Sequence, residues 1–194
     1  MKYLIEIFNK VLPLTKNEAD AFLSRLHTNS YKEGDIIIRR NVVCSRIFII
    51  EKGLVKHHHP VNNRDKTIRF FSDNDLFTSI CSYADQSPAR YETIALETTD
   101  TSSIKFSDLE ELKKQYPNIA KLMDRIFADA ALQILNLMHT HTDLDATVRY
   151  DNFKITYPHL INRLSLKEIA NYLDISQVSL SRIRAGSGKG PGKS

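Results

Sequence analysis

Tryptophan is absent from this 194-residue chain, and cysteine, methionine, glycine and proline are scarce, at two, three, six and six residues. Each scarcity removes a class of protein. Cys44 and Cys81 alone cannot build a disulfide scaffold, a four-cysteine zinc site or a four-thiolate iron–sulfur cluster. No apolar run approaches the roughly 18 residues a membrane-spanning helix needs, and the opening MKYLIEIFNK lacks a secretory signal pattern. Also missing are a nucleophile elbow, an HExxH pair, a Walker loop and a Rossmann glycine set, so no enzyme is expected. What remains is an ordinary globular balance, 42% hydrophobic and 26% charged, with length for one or two domains. A cytoplasmic protein is the expectation.

Acidic charge is scarce at one end only. From Thr147 onward eight basic residues face three acidic ones, a net +5, whereas the first 146 residues carry −1. The whole positive excess therefore sits in the last quarter, which suits a polyanionic partner there. A merely solvated basic surface would look the same by charge alone.

Glycine is nearly absent before residue 186, and the two exceptions, Gly34 and Gly53, fall between β-rich runs. Those runs are Ile36–Ile38, Arg46–Ile50, Leu54–His57, Thr67–Phe71, Tyr91–Leu96 and Thr101–Phe106. Glycine at such corners supplies a tight turn or a positive φ, and strands at this spacing predict an antiparallel sandwich or jelly roll. Helices flank it. Thr15 with Glu18 and Ser107 with Glu110 read as capping boxes. From Pro117 to about Ala146 nothing breaks a helix. Ile119, Met123, Ile126, Ala130, Gln133, Leu137, Thr140 and Leu144 form one stripe on it, and Leu122, Phe127, Ala131, Ile134 and Met138 a second. Two stripes predict two burials, one against the chain's own sheet domain and one against a second copy.

The informative stretch is Leu164 to Arg184. Ser165 caps a helix with Glu168 three residues on, and Ile169, Ala170 and Leu173 share one face. Ser176 caps a second helix that turns Leu180 and Ile183 inward. Small Ala170 allows a close crossing, Ile175 plugs the turn, and Asp174 stands where glycine is usual, tolerating left-handed backbone better than most residues. This is a helix-turn-helix. The second helix offers Gln177, Ser179, Ser181, Arg182 and Arg184 outward, residue types that bond phosphates and base edges.

A sandwich, a long helix and a helix-turn-helix, in that order, resemble the CRP/FNR family of bacterial transcription regulators over nearly the whole chain. The resemblance implies an α+β fold. It has a cyclic-nucleotide-binding-like sensor at 1–116, a dimerisation helix at 117–146, a winged helix-turn-helix at 147–185 and a flexible tail at 186–194. It also implies a homodimer reading a two-fold DNA operator with half-sites about 34 Å apart, and RNA polymerase as a further partner. By position, Gln177, Val178 and Arg182 match the base-contacting residues, and Ser176 and Ser179 the phosphate-contacting ones. Val178 replaces a common acidic residue, which shifts preference at that base pair, for instance toward a thymine methyl.

The sensor pocket departs from the family. Cyclic-nucleotide-binding members hold the ribose with Gly-Glu and the cyclic phosphate with Arg-Ser or Arg-Thr. Here Thr78 and Ser79 stand at the first pair, and Ala89 takes the arginine position with Arg90 one residue late, beside Tyr91. A one-residue shift in a strand reverses a side chain's face. Thr78, Ser79, Arg90 and Tyr91 are thus the candidate effector residues, for an effector other than a cyclic nucleotide or for none. Arg90 as a plain surface arginine stays equally open, and a working cyclic AMP or cyclic GMP receptor is the alternative. No cofactor or metal is called for. His57 and His59 share a strand face, but a solvated hairpin tip is the stronger reading for His57-His58-His59. Cys81 is either a haem ligand or, preferably, an inert buried thiol.

Overall fold

The computed structural model describes residues 2–61, 64–142 and 145–186, with side chains for 4–59, 66–135 and 145–186. Two short helices open the chain, α1 (Lys2–Val11) and α2 (Lys16–Leu23). The expected capping box at Thr15 and Glu18 is present in both directions. Eight strands follow: β1 (His27–Tyr31), β2 (Ile36–Ile38), β3 (Arg46–Lys52), β4 (Leu54–Val61), β5 (Arg64–Ser72), β6 (Leu76–Phe77), β7 (Glu92–Ala95) and β8 (Thr99–Lys105). Helix α3 (Ile80–Asp85) interrupts them. They build two four-stranded sheets, ordered β1-β8-β3-β6 and β2-β7-β4-β5, with the antiparallel pairing of the expected roll. All six expected strand runs are found. Two strands and α3 are additional. β1 reads His-Thr-Asn-Ser-Tyr, an edge strand with no apolar alternation, and β6 has two residues, so neither carries a periodic signal.

Strand alternation divides the apolar residues of β3 between two cores. Phe48 and Ile50 face the roll interior with Ile38, Val55, Phe71, Phe77 and Ala89. Ile47 and Ile49 face the other way, into a core closed by Leu4, Phe8, Phe22, Ile104, Leu109, Leu112, Ile119 and Leu122. The helical half of that core comes from α1, α2, α4 (Phe106–Gln115) and the start of α5 (Pro117–Thr142). Helix α4 begins one residue before the expected cap. Lys105 is the N-cap and makes no side-chain cap bond, and the Phe106 N–H instead donates to Ser45 O at 2.9 Å. Phe106 is buried in the core, and its burial sets the start of the helix rather than Ser107.

Helix α5 ends at Thr142, short of Ala146, because Asp145 caps a new helix, α6 (Ala146–Thr156). Its two stripes do not separate at first. Ile119, Leu122 and Met123, with Ile126 and Phe127 at their edge, all enter the same core, and Arg125 donates to Val11 O at the end of α1 (2.9 Å). Farther along, Leu132, Ile134 and Leu135 are exposed, at 59%, 41% and 53%. The later stripe positions Leu137, Met138, Thr140 and Leu144 lie outside the described side chains.

The chain separates into two units, one holding residues to His59 and Ile68–Ala130, the other Pro60–Thr67 and the chain from Ala131. The second contains α6, α7 (Leu166–Leu173) and α8 (Gln177–Gly186). Its core is aromatic: Phe153, Tyr157 and Tyr172 meet pairwise at ring-centroid distances of 5.4 to 5.7 Å, around buried Ile169, Leu173 and Leu180. Among the described residues no strand follows Lys105, so a wing is not among them. The tail beyond Gly186 also lies outside them.

Candidate functional site

Helix α7 starts where the sequence places it. The Ser165 hydroxyl accepts from the Glu168 N–H at 3.2 Å, a cap that contributes about 1 kcal/mol. At the other end Asp174 adopts left-handed backbone, φ 54° and ψ 46°, and its N–H bonds Ala170 O. The Ile175 N–H reaches the same carbonyl at 3.1 Å. These bonds end α7 and reverse the chain within two residues. Arg149 Nε donates to Leu173 O at 3.2 Å, a cation on the negative end of the helix. Ser176 then caps α8, accepting from the Ser179 N–H at 3.0 Å, with the two hydroxyls 2.8 Å apart.

With Leu180 wholly buried and Ile183 half-buried, the opposite face of α8 is set by helical geometry. Val178 (61% exposed), Ser181 and Arg182 lie on it, while Gln177 is exposed at the first turn beside it, with Ser176 exposed at the start and Ser179 partly so. Arg184 does not join them. Its Nε donates to Tyr150 Oη at 3.1 Å, and its guanidinium lies 5.7 Å from the Tyr150 ring. One turn past Leu180, position 184 faces α6, so this arginine ties α8 to Tyr150 instead of extending the outward set.

In the roll, the four candidate effector residues separate into two kinds. Thr78 is buried and donates to Arg46 O at 2.8 Å. Ser79 caps α3, accepting from the Ser82 N–H and hydroxyl at 3.3 and 3.0 Å. Both hydroxyls serve the chain's own scaffold. Arg90 and Tyr91 are exposed, and Ala89, at the family's arginine position, is buried by paired backbone bonds to Asn41 and Val42.

The histidine run is not a solvated tip. It lies inside β4, where alternation sends Val55 and His57 to the interior and leaves His58 buried on the other side, 3.4 Å from Glu92. His57 Nδ1 is 2.8 Å from Thr93 Oγ1, and the ring also bonds the Thr78 backbone. Its centroid is 4.6 Å from Phe71, 6.1 Å from Phe77 and 6.4 Å from Tyr91. Desolvation pushes its pKa down to about 4, with Arg69 and His58 adding to the depression against the opposing Thr78 bond. Sequence reasoning missed His57. The available signal was the period-two register from Val55, which places it on the inner face. Cys81 is a half-buried free thiol, and among the described residues no group of three His, Cys, Asp or Glu could hold a metal. No described helix is long and apolar enough to cross a membrane.

Comparison with known proteins follows the same division. Residues 28–116 match the cyclic nucleotide-binding domain. No curated protein sequence matches the chain significantly. Among solved structures, the c-di-GMP responsive global regulator CLP of Xanthomonas campestris superposes with a TM-score of 0.70 at 14% identity, covering 92% of this chain and 97% of that one. A CooA variant from Carboxydothermus hydrogenoformans gives 0.70 at 17%, covering 94% and 83%. The Thermus thermophilus catabolite activator protein gives 0.55 at 19%, covering 92% and 88%. At these identities the likeness establishes the fold, and it is the fold that the resemblance to CRP/FNR regulators implied.

Proposed function

We propose, on the premise that residues 28–116 are a cyclic nucleotide-binding-type domain in a chain with the fold of CRP/FNR regulators, that this protein is a homodimeric, sequence-specific DNA-binding transcription regulator. The observation that carries the reading is the free face of α8, where Val178, Ser181 and Arg182 stand outward over a buried Leu180, with Gln177 exposed beside them at the first turn. A helix so presented fits the major groove, with Ser176 and Ser179 at its N-terminus placed for phosphates. The basic last quarter supplies sequence-independent attraction. RNA polymerase is the partner through which a bound regulator would act. Selection of bound duplexes from a random pool tests the reading: two-fold symmetric half-sites about 34 Å apart are expected, and an unpatterned pool would refute it.

The two arginines of α8 are expected to differ. Arg182→Ala loses about 1–3 kcal/mol of discrimination between specific and random duplexes. Arg184→Ala, which breaks the Tyr150 contact, lowers the stability of the second unit and weakens binding to both duplexes alike. Competition binding at fixed salt separates these outcomes, and equal specificity ratios for Arg182→Ala and the parent would remove Arg182 from the base-reading set.

A second copy is the proposed cover for Leu132 and Leu135 on α5. A charge at either position forfeits a buried side chain, about 1.5–3 kcal/mol. Leu135→Asp is therefore expected to raise the dimer dissociation constant about tenfold or more in sedimentation equilibrium. An unchanged constant would place the dimer contact elsewhere.

The family match over 28–116 favours a second reading, a working cyclic AMP or cyclic GMP receptor. Thr78 and Ser79 are already bonded internally, which weighs against it. Micromolar binding in calorimetry would establish it.

A further inference from the structure

A cavity of about 420 Å³ lies between α3 and the start of α4, on the helical side of the β1-β8-β3-β6 sheet and outside the roll interior. Its apolar lining is aromatic. Tyr83, half-buried, stands at 80° to Phe106 with 5.0 Å between ring centroids, and it also stacks on Phe127 of α5 at 4.7 Å and 24°. Hydrogen bonds fix its hydroxyl: Tyr83 Oη donates to Glu110 Oε1 at 3.0 Å, and Lys113 Nζ donates to both, at 3.3 and 2.9 Å. Partial burial opposes ionisation of Glu110, but the bonds from Lys113 and Tyr83 outweigh it and hold the carboxyl below its ordinary pKa. The charged residues that line the cavity are therefore one carboxylate, Glu110, and one cation, Lys105. Lys105 is exposed and makes no cap bond to α4. Exposed Ser45 and Gln86 complete the mouth. Ser45 is tied to α4 only through its backbone, whose carbonyl accepts from the Phe106 N–H, and Gln86 Nε2 is spent on Ser82 O at 2.9 Å, which leaves Oε1 to accept.

We propose that this cavity is a binding site for a free α-amino acid with an apolar side chain. Its volume falls within the roughly 300–1,000 Å³ of small-molecule sites, and its make-up is theirs: an aromatic surface with a few polar groups that fix orientation. The ligand carboxylate pairs with Lys105 Nζ and the Ser45 hydroxyl, and its ammonium pairs with Glu110 Oε2 and Gln86 Oε1. The side chain lies on the rings of Tyr83 and Phe106. A ligand with a single charge would bring that charge against its like, at Glu110 or at Lys105, whereas a zwitterion satisfies both. The site does not depend on the DNA-binding reading, and failure of either leaves the other standing.

The test is titration calorimetry on the full chain with L-leucine and L-phenylalanine as probes. Each is run beside the analogues that keep one charge: isocaproate and isoamylamine for leucine, hydrocinnamate and phenethylamine for phenylalanine. At least one amino acid is expected to bind, about tenfold or more tightly than either of its own analogues, since each lost partner is a charge-assisted hydrogen bond. Lys105→Gln removes the cation from a side chain that caps nothing in the scaffold. It is expected to weaken binding about tenfold and to leave the thermal midpoint of the unliganded protein unchanged. Ser45→Trp, which keeps the backbone bond to Phe106, fills the mouth and is expected to abolish binding. The inference is overturned if neither amino acid binds at millimolar concentration, or if a single-charge analogue binds as tightly as its parent. Full affinity in Lys105→Gln, or in folded Ser45→Trp, would overturn it equally, by placing the ligand elsewhere.

Discussion

Gly53→Ala is expected to destabilise the unit that holds the roll by about 3–5 kcal/mol, as the sum of a strained backbone and a forced overlap. Gly53 joins β3 to β4 at φ 133°, a conformation that L side chains rarely adopt. A Cβ built there would lie 2.6 Å from Thr99 Cα and 2.5 Å from Thr99 Oγ1. The backbone of β8 cannot move aside without disturbing the Thr99 hydroxyl, which accepts from the Leu54 N–H at 3.3 Å and donates to Glu97 O at 2.9 Å. Gly34 is the internal control. It also has positive φ, 88°, but nothing lies within 4 Å of a built Cβ. Gly34→Ala should therefore cost only the backbone strain, about 1–2 kcal/mol. Urea unfolding of both variants, followed by far-ultraviolet circular dichroism, checks the difference, and equal losses would show that contact with Thr99 is not what reserves position 53 for glycine.

Acid is expected to remove about 3 kcal/mol of stability through His57 alone, since each tenfold loss of proton affinity on folding corresponds to about 1.4 kcal/mol. Burial lowers the folded-state pKa to about 4 from the ordinary 6.5. An unfolded chain binds this proton more readily than the folded one. The contribution is therefore complete above pH 6.5, declines as the pH falls from 6.5 to about 4, and changes no further below that. The groups acting on the ring are Arg69, His58 and the Thr78 backbone. Carboxylates titrate mainly below this window, so its upper limb, from pH 6.5 down to about 4.5, reports on the histidine. Urea midpoints measured across it should fall steeply for the parent and more gently for His57→Gln. Parallel profiles would mean that the imidazole does not lose its proton on burial.

Period-two runs, capping boxes and scarce glycine were enough to predict the roll, the long helix and the helix-turn-helix, because each is a local pattern set by backbone geometry and hydrophobic alternation. Thr15, Ser165 and Ser176 cap where the residues say, since a cap needs only its own next turn. Ser107 fails for the opposite reason: burial of Phe106 against distant strands moves the helix start. Arg182 and Arg184 are indistinguishable as residue types, and only Tyr150, 34 positions before Arg184 in the chain, separates the outward arginine from the inward one. His57 is the same case in the roll. Its register was legible from Val55, but its partners Thr93 and Thr78 come from other segments.

By itself, the order of residues determined which elements form, where glycine is required and which end of the chain carries positive charge, because these depend on neighbours a few positions apart. Tertiary structure alone decided which polar side chains remain free to meet a partner and which are consumed by the scaffold. That choice is made by contacts between segments distant in the chain, and no local pattern encodes them.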